Sequence, residues 1–112
     1  MNINKILAFN AERVDLHQSM REESGEIMDA YWTRLANFIA SDVAGAIDFL
    51  CHSPDCTDEI FSDWSEVFDD VARMTQSCRF VDALDIAAKR FPAAMQKFNI
   101  ADSIASARAE LR

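Results

Sequence analysis

Apolar residues recur along this chain with the period of an α-helix, almost from end to end. Ile3, Ile6, Leu7, Val14 and Met20 outline a first helix, entered near Asn2 or Asn4 and running to about residue 18, with a pattern that thins after Leu7. Ile27, Tyr31, Leu35, Phe38 and Ile39 form the stripe of a second, with Ser24 as its N-cap. A short third helix, capped by Ser41 or Asp42, carries Val43, Ile47, Leu50 and Cys51. It must stop by Ser53, because Pro54 disfavours helical geometry in the residue before it. Thr57 or Asp55 opens a fourth, whose core face is Ile60, Trp64, Val67, Phe68, Val71 and Met74 in one uninterrupted run. A fifth covers roughly residues 77–90, with Phe80, Leu84, Ala87 and Phe91 inward. Pro92 suits the first turn of a short helix reaching Phe98. Asn99 can end that helix in a left-handed conformation, and Ile100, Ile104, Ala107 and Leu111 outline the last. The pattern predicts an all-α chain: a compact bundle of six or seven helices in a single domain, residues 1–112.

Composition sharpens that picture. Two glycines and two prolines in 112 residues are too few for the tight turns a sandwich or a wound sheet needs, while half the residues are apolar. One core of useful size can be built from a chain this long. No run approaches the roughly eighteen consecutive apolar residues of a membrane span. The first residues, Met1-Asn2-Ile3-Asn4-Lys5, have none of the three regions of a secretory signal, and three cysteines are an odd number for a disulfide framework. A reducing, cytoplasmic location is the expectation.

Charge changes the picture most. The net charge is −8, which disfavours nucleic acid and anionic membranes as partners, since both are held by clustered Lys and Arg. The charge is not spread evenly. Residues 1–25 carry a net −1, residues 26–72 a net −10 with Arg34 as their one base, and residues 73–112 a net +3. Inside the acidic segment Glu59, Asp63, Glu66 and Asp70 are spaced four, three and four apart, which puts them on one strip of the fourth helix beside its core face. Like charges at that spacing destabilise a helix by a few tenths of a kcal/mol per pair. Asp55, Asp58 and Glu59 have a local justification at the helix start, where the dipole favours acids; Glu66, Asp69 and Asp70 have none. Asp58, Glu59, Asp63, Glu66, Asp69 and Asp70 are therefore the candidate contact residues for a basic protein partner, with a solvated face or a cover by the basic C-terminal helices as the bland alternative. Trp32, near the edge of the second apolar stripe, is the candidate aromatic anchor; Trp64 belongs to the core.

Candidate chemistry is thin by comparison. Cys51, His52 and Cys56 cluster, yet a structural zinc takes a complete tetrahedral ligand set and no second pair of ligands accompanies them. His17 and His52 are the only histidines, and neither sits in a nucleophile motif; His17 suits the exposed end of the first helix. No glycine-rich phosphate loop and no Glu-x-x-His pair for a di-iron site exists. The expectation is a binding protein and not an enzyme, with no metal and no cofactor.

A small, acidic, all-helical protein with a segregated carboxylate surface resembles the immunity proteins of bacterial polymorphic toxin systems, including contact-dependent growth inhibition. The resemblance covers the whole chain in size, charge and helix content. It carries no motif residue by residue, and no site residue is transferred through it. It implies a cognate toxin, commonly a nuclease, blocked by covering its basic active-site surface. The competing expectation is a helical adaptor, chaperone or assembly subunit docking through the same acidic face; a regulatory bundle with an apolar ligand pocket is a third.

Overall fold

In the computed structural model, which describes residues 1–18 and 25–112, the helical periodicity becomes eight helices, with no strand among the described residues. They are α1 (Ile3–Gln18), α2 (Gly25–Ala40), α3 (Val43–His52), α4 (Asp58–Ser65), α5 (Phe68–Thr75), α6 (Cys78–Ala88), α7 (Pro92–Phe98) and α8 (Ile100–Ala109). The side chains of His17 and Gln18, and the expected contributions of Met20 and Ser24, lie outside what is described. None of the described helices is long and apolar enough to cross a membrane.

Local signals set most of the boundaries. The Asp42 carboxylate accepts from the Gly45 N–H at 3.0 Å and caps α3; Thr57 Oγ1 accepts from the Ile60 N–H and caps α4; Ser77 Oγ accepts from the Phe80 N–H and caps α6. Pro92 begins α7, and Asn99 separates α7 from α8 at φ 54°. Arg90 closes α3 from a distance, donating to the Leu50 carbonyl at 2.6 Å and to the Ser53 carbonyl at 2.7 Å.

The extra helix comes from a break in the fourth predicted one. Its apolar stripe continues without a gap, but the Val67 N–H bonds the Trp64 carbonyl at 3.0 Å, and the Glu66 N–H that of Asp63, in a tightened turn. The turn ends α4 and re-aims α5; Val67 and Phe68, at the turn, are both fully buried. The core runs through Tyr31, Leu35, Ile39, Leu50, Phe61, Trp64, Phe68, Phe80, Leu84 and Ile100. α5 packs on α2 and α8, α3 on α6, and α4 on α7. The radius of gyration, 13.3 Å, is that of one globular body of this length, for which about 13 Å is expected.

Two stripes end earlier than their periodicity suggests. Ile27, in the first turn of α2, and Met74, in the last turn of α5, continue their stripes in sequence but lie beyond the packed region and are exposed. Among the described side chains of α1 only Ile6 is fully buried, while Leu7 and Val14 face outward.

Candidate partner-binding groove

α4 buries Ile60, Phe61, Trp64 and Ser65, and this leaves Asp58, Glu59, Ser62, Asp63 and Glu66 along its other flank. α7 packs against α4 on one side and presents Ala93, Ala94, Lys97 and Phe98; α1 supplies Arg13 and Val14 on the other. Between them lies an open groove of about 600 Å³. Asp58 and Glu59 stand in the first turn of α4, where the helix dipole favours carboxylates. Glu66 stands between two helices, at the C-terminal end of α4, where the dipole opposes a carboxylate, and just before the N-cap of α5, where it favours one. The ion pairs formed among the described residues use Glu12, Asp42, Asp63, Asp70, Asp82 and Asp85, and none engages Asp58, Glu59 or Glu66.

Asp63 lies deeper than its strip position suggests, with its side chain only 16% exposed. Its Oδ1 is 3.8 Å from Nε of Arg13, a base contributed from fifty residues earlier in the chain. That pair is too long for a hydrogen bond, and Asp63 Oδ2 and Arg13 Nε are buried with no hydrogen-bonding partner among the described residues. Burial pushes the Asp63 carboxyl up to about 6; Arg13 acts against this, and Glu59 and Glu66 add to it. Behind Arg13 sits Trp32, half-buried, its ring 5.4 Å from the guanidinium and edge-on to Tyr31. Tyr31 donates its hydroxyl to the Phe9 carbonyl, and burial with Asp63 and Glu12 nearby raises its phenol. Arg34, the one base of the acidic segment, is taken up by the Glu12 carboxylate in a two-pronged contact.

The expected strip is thus divided. Asp58, Glu59, Asp63 and Glu66 share the groove, whereas Asp69 and Asp70 lie past the break on α5, Asp70 paired with Arg73 at 2.8 Å and Asp69 accepting from the Asp70 N–H. Trp32 does not line the groove but backs the arginine that does. The sequence does not point to Arg13, Val14, Lys97 and Phe98 as groove residues, because nothing in it announces that α1 and α7 flank α4. Trp64 is buried against Phe49, as its stripe predicts.

The members of the cysteine–histidine cluster differ in burial. Cys56 is buried and its thiol is pushed up to about 12 by desolvation, Cys51 is half-buried with its Sγ 3.6 Å from the Ala83 carbonyl, and His52 is exposed. Among the described residues no group of three or more His, Cys, Asp or Glu side chains is arranged to hold a metal ion. No family model, no curated protein and no solved structure matches the chain, so the groove itself carries the functional argument.

Proposed function

We propose that this chain is a binding protein whose groove engages a basic protein partner, and that the partner is a toxin it neutralises as an immunity protein. The observation that carries the reading is the set of carboxylates Asp58, Glu59 and Glu66 at an open groove, engaged by no ion pair from a described residue. Unpaired like charges held together raise the energy of the free protein and are relieved by a cationic partner. A nuclease toxin fits this surface, because a site built to hold phosphates also holds carboxylates.

The test is capture from the native cell on immobilised wild-type chain and on the Glu59→Lys/Glu66→Lys variant, both checked for helical fold. A partner is expected on the wild type alone. Expressed by itself it should arrest growth, and co-expression of the wild-type chain, but not of the variant, should restore it. A partner held equally by both chains removes the groove from the interface. A partner harmless to cells replaces the toxin with an assembly component.

A further inference from the structure

The groove is not a purely acidic surface. Phe98, 51% exposed, and Val14, 37% exposed, flank the carboxylates from α7 and α1, with Ala93 and Ala94 beside Phe98. An apolar occupant alone would desolvate Glu59 and Glu66 without pairing them, a loss of hydration that nothing in the contact returns. A purely polar cation would leave the Phe98 ring in water. Both lips already model a mixed contact: the Lys97 ammonium lies 5.3 Å from the centre of the Phe98 ring, and the Arg13 guanidinium is spread over Trp32.

We propose that the groove receives one amphipathic basic segment of the partner, its arginine or lysine set against Glu59 and Glu66 and an adjacent bulky apolar side chain set on Phe98 and Val14. This rests on the groove being the partner-binding surface and adds the chemistry of what enters it. Arginine and lysine suit the site because their aliphatic stems lie along apolar surface while the charged head reaches the carboxylates. Arginine suits it better where two oxygens can be met at once.

The occupant is also linked to a proton. Asp63, on the floor, faces Arg13 from α1, Tyr31 from α2, Glu59 and Glu66 on its own helix, and Lys97 across the groove on α7. Its carboxyl stands at about 6, so it is largely protonated at pH 5 and largely ionised at pH 7. An added cation favours the ionised form, and binding therefore strengthens as pH rises across that interval.

The experiment is calorimetric titration of the full chain with three synthetic peptides of equal length. One carries Arg and Leu at helical spacing, one the same Arg with Ser for Leu, and one the same Leu with Glu for Arg. The first is expected to bind about tenfold tighter than the second, and the third not at all. Phe98→Ser should reduce the first to the level of the second, and Glu59→Gln/Glu66→Gln should weaken both. Affinity for the first should rise from pH 5 to pH 7, and Asp63→Asn should abolish the rise. Equal binding of the two basic peptides, indifferent to Phe98→Ser, overturns this proposal and leaves the acidic-surface reading standing. Binding of the Glu peptide as tight as that of the Arg peptide overturns both. No binding of the Arg–Leu peptide at millimolar concentration overturns the proposed occupant, and a pH rise that persists in Asp63→Asn overturns the linkage.

Discussion

Asp63 is a carboxylate held in a place that suits its protonated form. Its folded pKa of about 6 lies above the ordinary 3.8, so it binds a proton more readily folded than unfolded. The sign follows: the fold gains stability from this residue as pH falls from 7 through 6 towards 4, and the gain levels off once the unfolded chain is protonated too. After a discount for the flank that opens on the groove, the amount is roughly 2 kcal/mol. Urea unfolding of Asp63→Asn between pH 4.5 and 7 should show a flatter profile than wild type, with the variant relatively most favoured at pH 7. Equal slopes would show that the carboxylate is as well solvated folded as unfolded. Arg13→Ala should move the Asp63 carboxyl further up, because it removes the nearby cation that lowers it, and side-chain carboxyl NMR reads that directly. Trp64 tests the core at the same scale. It is fully buried against Phe49, and Trp64→Ala should cost about 3–5 kcal/mol in chemical denaturation, whereas a cost within about 0.5 kcal/mol would place the ring outside the core.

Elements whose ends carry their own chemical signal are the ones legible in the sequence. Pro92 opens α7, Asn99 in the left-handed region closes it, and Thr57 and Ser77 cap α4 and α6 through their own hydroxyls. Asn99→Val should cost about 1–2 kcal/mol from the left-handed backbone alone, and Asn99→Gly far less; thermal unfolding of the two distinguishes a backbone requirement from a side-chain one. The break between α4 and α5 has no such signal. Neither Glu66 nor Val67 breaks a helix by itself, and Ile60, Trp64, Val67, Phe68 and Val71 fit a continuous one. The turn there lets α5 pack on α2 and α8 while α4 packs on α7, a demand that lies outside the segment itself. The Arg13–Asp63 contact was hidden for the same reason: nothing in the thinning pattern of α1 announces which residue of α4 it meets. Arg90 is a further long-range cap, joining the end of α6 to the end of α3. Arg90→Ala should cost about 1.5–3 kcal/mol, as the loss of charge-assisted bonds to two carbonyls.

Across the whole molecule the acidic middle survives as a real asymmetry, but narrower than the sequence count implies. Arg13 and Arg73 neutralise parts of it, while Arg34 is drawn off to Glu12 of α1, and the α4 flank of the groove is the part that stays open beside apolar surface. Glu66 is its most informative member: it ends α4, where the dipole opposes an acid, and stands just before the N-cap of α5, where the dipole favours one. Glu66→Lys should leave the stability of the free chain within about 0.5 kcal/mol and weaken partner binding. Unchanged denaturation with lost affinity is the expected signature; both falling together would mark Glu66 as structural. Association with the partner should slow as salt rises, since exposed charges are screened beyond about 8 Å at physiological ionic strength.

The loose contact of Arg13 with Asp63 bears on how this protein can change by mutation. Two partly buried charges 3.8 Å apart, with polar atoms left over on both and the buried Asn10 Oδ1 also without a partner among the described residues, form a locally frustrated spot. Apolar pairs of similar volume often replace such contacts at no loss or at a gain. A library selected for thermal stability alone should therefore return Met or Leu at both positions, and those variants should bind the Arg–Leu peptide worse than wild type. The chain then sits below the stability its core could reach.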